Sequence, residues 1–159
     1  GATFQAAELK SPVSHPLKRE YSLMDFARSA RFEGVPYRQP APFPIATQNA
    51  ARVFWWLHDQ DPARATACAR VGLRAYFTRG VDLSDPAALK ALLAEAGLDA
   101  DAAEAAWQDP VWKQRLKAEN DAAIAAGVFG APFFRVDGEP FWGIDKFEQI
   151  ERWLATGGW

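Results

Sequence analysis

Apolar residues recur at intervals of three and four positions over most of the chain, which is the spacing of one face of an α-helix. Helices are predicted at residues 18–34, 46–58, 61–79, 85–96, 99–107 and 109–126, with a last helix at 145–155. Residues 1–17 keep no regular period, and residues 37–44 (YRQPAPFP) carry three prolines, so both segments are predicted to be irregular or extended. The pattern is that of a mostly helical protein.

Three Asp-Pro pairs mark predicted helix starts. In Asp61-Pro62, Asp85-Pro86 and Asp109-Pro110, the aspartate is expected to accept hydrogen bonds from unpaired N–H groups of the first turn. Proline fits the first helical position because its missing N–H would have no helical partner there. Gly80 and Gly97 can take the left-handed conformation that ends two of these helices.

One clear sheet signal stands at residues 127–145, GVFGAPFFRVDGEPFWGID. The predicted order is a helix stop at Gly127, a turn at 130–132, strands at 133–136 and 140–142, and a helix opened by Asp145. The Asp137-Gly138 pair between the strands suits a type I′ hairpin turn. Asp145 is expected to accept hydrogen bonds from the free amides of the helix start.

A hairpin of two short strands forms only a marginal sheet by itself. The first strand, within PFFRV, has apolar residues on both faces, which is typical of an interior strand. Residues 1–126 show no evident partner strand. We therefore expect the partners to come from an N-terminal unit missing from this chain, or from another molecule.

Composition narrows the class of protein. The 159 residues are 49% hydrophobic and 24% charged, which suits one globular domain or slightly more. A net charge of −2 gives no electrostatic reason to expect binding to nucleic acid or to an anionic membrane. No apolar run reaches the roughly 20 residues of a membrane span, and no signal peptide is evident. The expected location is cytoplasmic.

Cysteine and histidine offer little chemistry. Cys68 is the only cysteine, so the chain can form no internal disulfide and has no CxxC pair. The histidines, His15 and His58, lack metal-ligand spacing, and no metal is expected. Seven tryptophans and eleven phenylalanines suit a core, a cleft or an interface, so a homodimer is a plausible assembly.

Residues 127–154, GVFGAPFFRVDGEPFWGIDKFEQIERWL, resemble the C-terminal portion of the 2-hydroxychromene-2-carboxylate isomerase family. This family is the glutathione-dependent branch of the thioredoxin-like superfamily that includes the kappa-class glutathione transferases. The similarity extends back through QDPVWKQRLKAENDAAIAAG, AYFTRGVDLSDPAALKALLAEAGL, FPIATQNAARVFWW and HPLKREYSLMDFARSARFEGVPY, and so covers nearly the whole chain.

The resemblance implies an α/β fold with a thioredoxin-like core and a large helical insertion. Residues 1–17 would leave the core, residues 18–110 would form the insertion, and residues 111–159 would return to the core. The implied function is glutathione-dependent cis–trans isomerisation of an unsaturated aromatic acid, with glutathione as cofactor and a role in aromatic degradation.

Members of the family carry a catalytic Ser-Pro after a first strand. The resemblance implies that this serine lies N-terminal to Gly1. The Ser11-Pro12 pair is interpreted as part of a loop, because it follows no apolar strand and opens no predicted helix.

By the same resemblance, Ala131-Pro132 is a cis peptide at the glutathione site. The backbone of Ala131 would pair with the cysteinyl part of glutathione, as in strand addition. The alternative interpretation is an ordinary turn proline before a strand.

The turn formed by Trp142, Gly143, Ile144 and Asp145 is the second implied contact with glutathione. The carboxylate of Asp145 would accept the α-ammonium of the γ-glutamyl arm, while backbone amides of the turn receive its carboxylate. Gly143 would permit close approach of the backbone. Asp145 could equally act only as a helix cap.

Thr47, Asn49 and Arg52 are predicted to lie on or near one face of a helix and to contact the substrate. Arg52 could bind an acidic group of the substrate, although a solvated surface arginine is the more common case. Ala46 stands where family members often have asparagine. This departure weakens the expectation of the same aromatic substrate.

Three other functions remain open. A kappa-type transferase would conjugate electrophiles at the same site. A DsbA-like oxidoreductase is disfavoured because the chain has no CxxC. The third alternative is a binding module that keeps the fold and has lost the chemistry.

Overall fold

A computed structural model describes residues 6–8 and 11–159. Its helices are α1 Arg19–Phe32, α2 Gln48–His58, α3 Pro62–Arg74, α4 Pro86–Glu95, α5 Ala100–Gln108, α6 Pro110–Ala125 and α7 Phe147–Thr156. The strands are β1 Phe133–Val136 and β2 Glu139–Trp142, and short 3-10 turns cover Pro12–Ser14 and Ile144–Lys146. The predicted arrangement of helices followed by a hairpin and a final helix is confirmed.

Aspartate side chains begin the helices as the sequence predicts. The carboxylate of Asp61 accepts hydrogen bonds from the N–H groups of Ala63 and Arg64 at 2.9 and 3.1 Å. Asp85 and Asp109 each accept one such bond, at 3.0 and 2.8 Å. Each bond satisfies an N–H that the helix itself leaves unpaired, so these caps fix where the helices start.

Two segments of the helical region differ from expectation. The predicted helix 61–79 is α-helical only to Arg74 and continues as a π-helical turn over Ala75–Arg79. The Tyr76 hydroxyl in this turn donates to the carbonyl of Pro42 at 2.9 Å. Pro12 begins a 3-10 turn for which Ser11 is the N-terminal residue, so this Ser-Pro opens a short helical turn and is not a plain loop.

The chain divides into two compact units, which we call the helical unit (residues 11–118) and the hairpin unit (residues 119–159 together with residues 6–8). The core of the helical unit is aliphatic with a few aromatic rings. Its buried members are Val53, Leu57, Ala65, Ala75, Tyr76, Leu83, Leu89, Leu92, Leu93, Leu98, Ala103 and Trp107. The division at residues 17 and 110 that the resemblance implies stays a prediction.

Strands β1 and β2 form the predicted antiparallel hairpin. Phe134 lies opposite Phe141, and Val136 lies opposite Glu139. Asp137 and Gly138, with φ of 50° and 88°, make the turn. Positive φ at both positions is the signature of a type I′ turn, which matches the twist of the two strands. The Asp-Gly prediction is therefore confirmed.

Both faces of the hairpin carry aromatic packing. On one face Phe134 contacts Phe147 of α7, with ring centroids 5.4 Å apart. On the other face Phe129 contacts Phe133 and Trp142, at 5.4 and 5.0 Å. The apolar residues on both sides of PFFRV thus contact aromatic rings of the hairpin unit, and the expected partner strands stay a prediction.

Among the described residues, no helix is long and apolar enough to cross a membrane. The same residues contain no group of three or more histidine, cysteine, aspartate or glutamate side chains placed to hold a metal ion.

Candidate functional site

The end of the hairpin opposite its turn brings together the residues predicted to hold glutathione. The Gly143 N–H donates to the Pro132 carbonyl at 3.1 Å and extends the ladder by one pair beyond β1 and β2. Ala131 precedes this pair on one strand, and Asp145 follows it on the other. The two segments therefore lie side by side, although they are separated along the chain.

The backbone of Ala131 is open to a partner. The Ala131–Pro132 peptide bond is cis, as the resemblance implies. In an antiparallel ladder, alternate residues point their N–H and C=O groups toward the neighbouring strand. Because Pro132 and Phe134 face β2, Ala131 and Phe133 direct these groups to the outer edge of β1. Within the described part of the chain, Ala131 makes no backbone hydrogen bond.

Gly143 has a conformation that other residues rarely adopt. Its φ is 103° and its ψ is 156°, a region that only glycine populates readily. A Cβ atom at this position would collide with Oδ1 of Asp145. Glycine is therefore required here so that the Asp145 carboxylate can fold back over the turn, a closer reason than the predicted approach of a ligand.

Asp145 is not the helix cap that the sequence suggests. It lies inside the 3-10 turn Ile144–Lys146, and α7 begins two residues later with Lys146 as its N-terminal flank. Neither helix start has a side-chain cap hydrogen bond. The prediction of capping is wrong because the intervening turn directs the carboxylate away from the amides of α7.

The Asp145 carboxylate is instead an exposed anion. Its Oδ2 lies 2.7 Å from Nζ of Lys146, and 70% of its side chain is exposed. The hydrogen bond from Lys146 is the main cause that lowers the pKa of Asp145. The group is therefore charged at neutral pH, and its high exposure leaves room for a second cation.

Trp142 and Ile144 add apolar surface around this turn. Their side chains are 50% and 52% exposed. A Cβ atom on Gly130 would collide with Nε1 of Trp142, so the indole lies directly against the Gly130 backbone. The indole also contacts the ring of Phe129, two residues before Ala131.

In the helical unit, the predicted substrate residues separate into two groups. Nη1 of Arg52 lies 3.4 Å from Oδ1 of Asn49 and donates to the Trp107 carbonyl at 2.9 Å. Arg52 is only partly exposed, and its Nε is buried without a hydrogen-bond partner among the described residues. The interpretation of Arg52 as a solvated surface charge is wrong.

Thr47 lies just before α2, in a non-helical conformation. The helical spacing that places Asn49 and Arg52 about 60° apart therefore does not extend to it. Thr47 lines an apolar cavity together with Ala50 and Phe54. The expectation that Thr47 shares a face with Asn49 and Arg52 is therefore wrong, and this cavity was not predicted from the sequence.

The chain matches the family model for the DSBA-like thioredoxin domain over residues 3–155. It belongs to the DSBA-like thioredoxin family, which confirms the thioredoxin-like fold class implied by residues 127–154.

Two relatives of the chain carry the same enzyme name. The 2-hydroxychromene-2-carboxylate isomerase of Sphingobium xenophagum is 31% identical over 137 residues, which are 86% of this chain and 68% of the relative. The protein of the same name from Pseudomonas putida is 28% identical over 136 residues, or 85% of this chain and 64% of the relative. The chain thus spans about two thirds of the length of these relatives, and the resemblance to their family is confirmed.

Solved structures agree with this placement. A structure of 2-hydroxychromene-2-carboxylate isomerase superposes with a TM-score of 0.79 at 25% identity, covering 92% of this chain and 70% of that one. A candidate protein disulfide isomerase from Nitrosomonas europaea superposes with a TM-score of 0.68 at 21% identity, covering 91% and 77%. The second comparison supports the fold alone.

Proposed function

We propose that this chain forms the binding part of a glutathione-dependent cis–trans isomerase that acts on an unsaturated aromatic acid. Two named relatives, at 31% and 28% identity, support an isomerase role. The observation that carries the glutathione part is the end of the hairpin, where two groups flank the Pro132–Gly143 pair: the backbone of Ala131, which makes no hydrogen bond to the described residues, and the exposed carboxylate of Asp145.

The hairpin end fits the chemistry of glutathione. A tripeptide offers N–H and C=O groups, which can pair with those of Ala131 as an added strand does. It also has an α-ammonium, for which the ionised carboxylate of Asp145 is a charge-assisted acceptor. The methylene groups of the tripeptide can pack on Trp142 and Ile144, which are half exposed. The two polar contacts would fix both the position and the direction of the peptide.

When bound, glutathione would supply a thiolate nucleophile for reversible addition to the conjugated double bond of the substrate. This chain's own task at the hairpin is to hold the peptide so that its sulfur has a fixed position. In the helical unit, Asn49 and the guanidinium of Arg52 offer N–H donors to an acidic substrate, whereas the Thr47 hydroxyl lies in the lining of a separate apolar cavity. Their roles toward the substrate stay a prediction.

Calorimetric titration with glutathione tests the hairpin assignment. We expect Asp145→Ala to weaken binding by about 1–3 kcal/mol, or roughly 5- to 150-fold, because a charge-assisted contact is lost. Glu148→Ala is the matched control. Glu148 is an exposed acid like Asp145, but it lies three residues further along the chain, in the first turn of α7. Equal affinities for the two variants would remove Asp145 from the site.

The pH dependence of the same titration gives a second readout. The pKa of Asp145 is lowered, chiefly by Lys146. The carboxylate therefore stays charged as the pH falls from 7 to 5, and its contribution to affinity should be lost only as the pH falls through that lowered pKa. In Asp145→Asn the affinity should be reduced at every pH above that pKa and should lack this acidic transition.

A further inference from the structure

The helical unit contains an apolar cavity of about 260 Å³ between α2, α3 and α4. None of its lining residues belongs to the hairpin unit. Its lining combines small residues of α2 and α3 with leucines of α4, and it includes Thr47, Phe54 and Cys68. All of these residues belong to one compact unit.

The lining of the cavity is almost entirely hydrocarbon. Thr47 and Cys68 are its only polar side chains, and it includes no charged side chain. Burial raises the pKa of the Cys68 thiol, so this wall remains neutral at physiological pH. A charged ligand would lose its hydration here without gaining a partner, so the lining selects a neutral molecule.

The cavity exists because small residues stand on one side of it. Ala50 and Ala51 of α2 and Ala69 and Gly72 of α3 face the leucines of α4. Protein cores are normally filled to crystal-like density, with few voids larger than a water molecule. Leucine side chains at these positions would take up a large part of the space, whereas the small residues present leave it open.

The wall formed by α4 is held in place, whereas Val71 and Leu73 of α3 lie at the exposed side of the cavity. Leu89, Leu92 and Leu93 are at most 4% exposed and anchor α4 in the core. Asp61 and Asp85 fix the starts of α3 and α4. A ligand would therefore enter a space that is already formed, and little ordering of the protein would oppose binding.

We propose that this cavity binds one neutral aromatic molecule of about ten carbon atoms, with at most one polar substituent directed to Thr47. The size follows from comparison, since an apolar cavity of about 150 Å³ holds benzene, and 260 Å³ is roughly 1.7 times larger. The same volume is far too small for a helix of a partner protein, whose side-chain stripe needs a long groove.

The test compares 1-naphthol with 1-naphthoate, which share a ring system and differ in charge at pH 7. In thermal unfolding without glutathione, 1-naphthol should raise the Tm saturably, by about 2–5 °C at ten times its Kd, and 1-naphthoate should not. Ala69→Leu should reduce the shift, because its three added carbon atoms take up part of the cavity. Ala67→Leu is the matched control on the exposed side of the same helix, and it should keep the shift.

Cys68 provides a readout that needs no variant to fold. It is the only cysteine and lines the cavity, so the rate of iodoacetamide alkylation reports on occupancy. Saturating 1-naphthol should slow alkylation at least threefold, and 1-naphthoate should have no effect. The proposal is overturned if neither measurement saturates, if both naphthalenes act equally, or if sedimentation shows that a second copy covers the cavity. Because glutathione is absent, these outcomes are independent of the proposed isomerase activity.

Discussion

The helical unit and the hairpin unit differ in how deeply they bury their apolar side chains. In the helical unit Val53 and Leu57 are 1% exposed and Ala103 is fully buried. In the hairpin unit the most deeply buried described side chains are Phe141 and Ile150, at 7% and 9%, while Trp142, Ile144 and Phe147 are about half exposed. Both units expose some apolar side chains, including Leu17 and Phe32 of the helical unit at 87%. The helical unit nevertheless has a closed core, whereas the described residues of the hairpin unit leave the outer edge of β1 without a partner strand.

The difference in burial predicts that the two units contribute differently to stability and to binding. A closed helical core stabilises the chain because many apolar atoms leave water. An open strand edge contributes little to stability, but its unpaired N–H and C=O groups can bind an extended peptide. We therefore expect core substitutions in the helical unit to affect mainly stability, and substitutions at the hairpin end to affect mainly glutathione binding.

The largest effect on stability is expected from Leu57→Ala. Leu57 is almost fully buried, and its truncation should lower the free energy of unfolding by about 3–5 kcal/mol through lost burial and the cavity left behind. Leu154→Ala, in the hairpin unit, removes the same atoms from a side chain that is 68% exposed. It should cost less than about 1 kcal/mol in urea unfolding. Similar costs for both variants would contradict the contrast in burial.

Gly143→Ala should have an intermediate effect. The new Cβ would collide with the Asp145 carboxylate, in a backbone region that disfavours alanine. We expect a loss of about 1–3 kcal/mol in stability together with weaker glutathione binding. Gly127→Ala is the control, since Gly127 also has positive φ but has no atom within 4 Å of an added Cβ. It should destabilise the protein and leave the affinity for glutathione unchanged.

The smallest effect, and a favourable one, is expected from Gly72→Ala. Gly72 lies inside α3, and an added Cβ would meet Cδ1 of Leu83 at an ordinary 3.6 Å. Replacement should stabilise the protein by about 0.5–1 kcal/mol, because alanine loses less conformational entropy in a helix. Gly97→Ala, at a φ of 75°, should do the reverse. A loss of stability in Gly72→Ala would show that the wall of the cavity cannot accept a methyl group.

Much of the fold could be predicted because its boundaries have local causes. The Asp-Pro pairs at 61, 85 and 109 begin helices through contacts within one turn. The Asp137-Gly138 pair makes the hairpin through its own backbone preference. Such signals act over a few residues and can be read from one sequence.

Features that depend on contacts distant in sequence could not be predicted. Arg52 is partly buried because Trp107, which is 55 positions away, offers it a carbonyl. The helix from residue 62 changes to a π turn at Ala75, where Tyr76 bonds to Pro42. The cavity likewise needs three helices. The prediction that Asp145 caps α7 is wrong even though the two are close in sequence, because a 3-10 turn separates them.

The central claim is that glutathione serves as a cofactor for isomerisation. The most direct measurement follows 2-hydroxychromene-2-carboxylate, the compound in the relatives' name, with purified protein in the presence and absence of glutathione. We expect conversion that requires glutathione, an isomeric product of unchanged mass, and a free glutathione concentration that stays constant. Stoichiometric consumption of glutathione would indicate a transferase, and conversion at the same rate without glutathione would contradict the cofactor role.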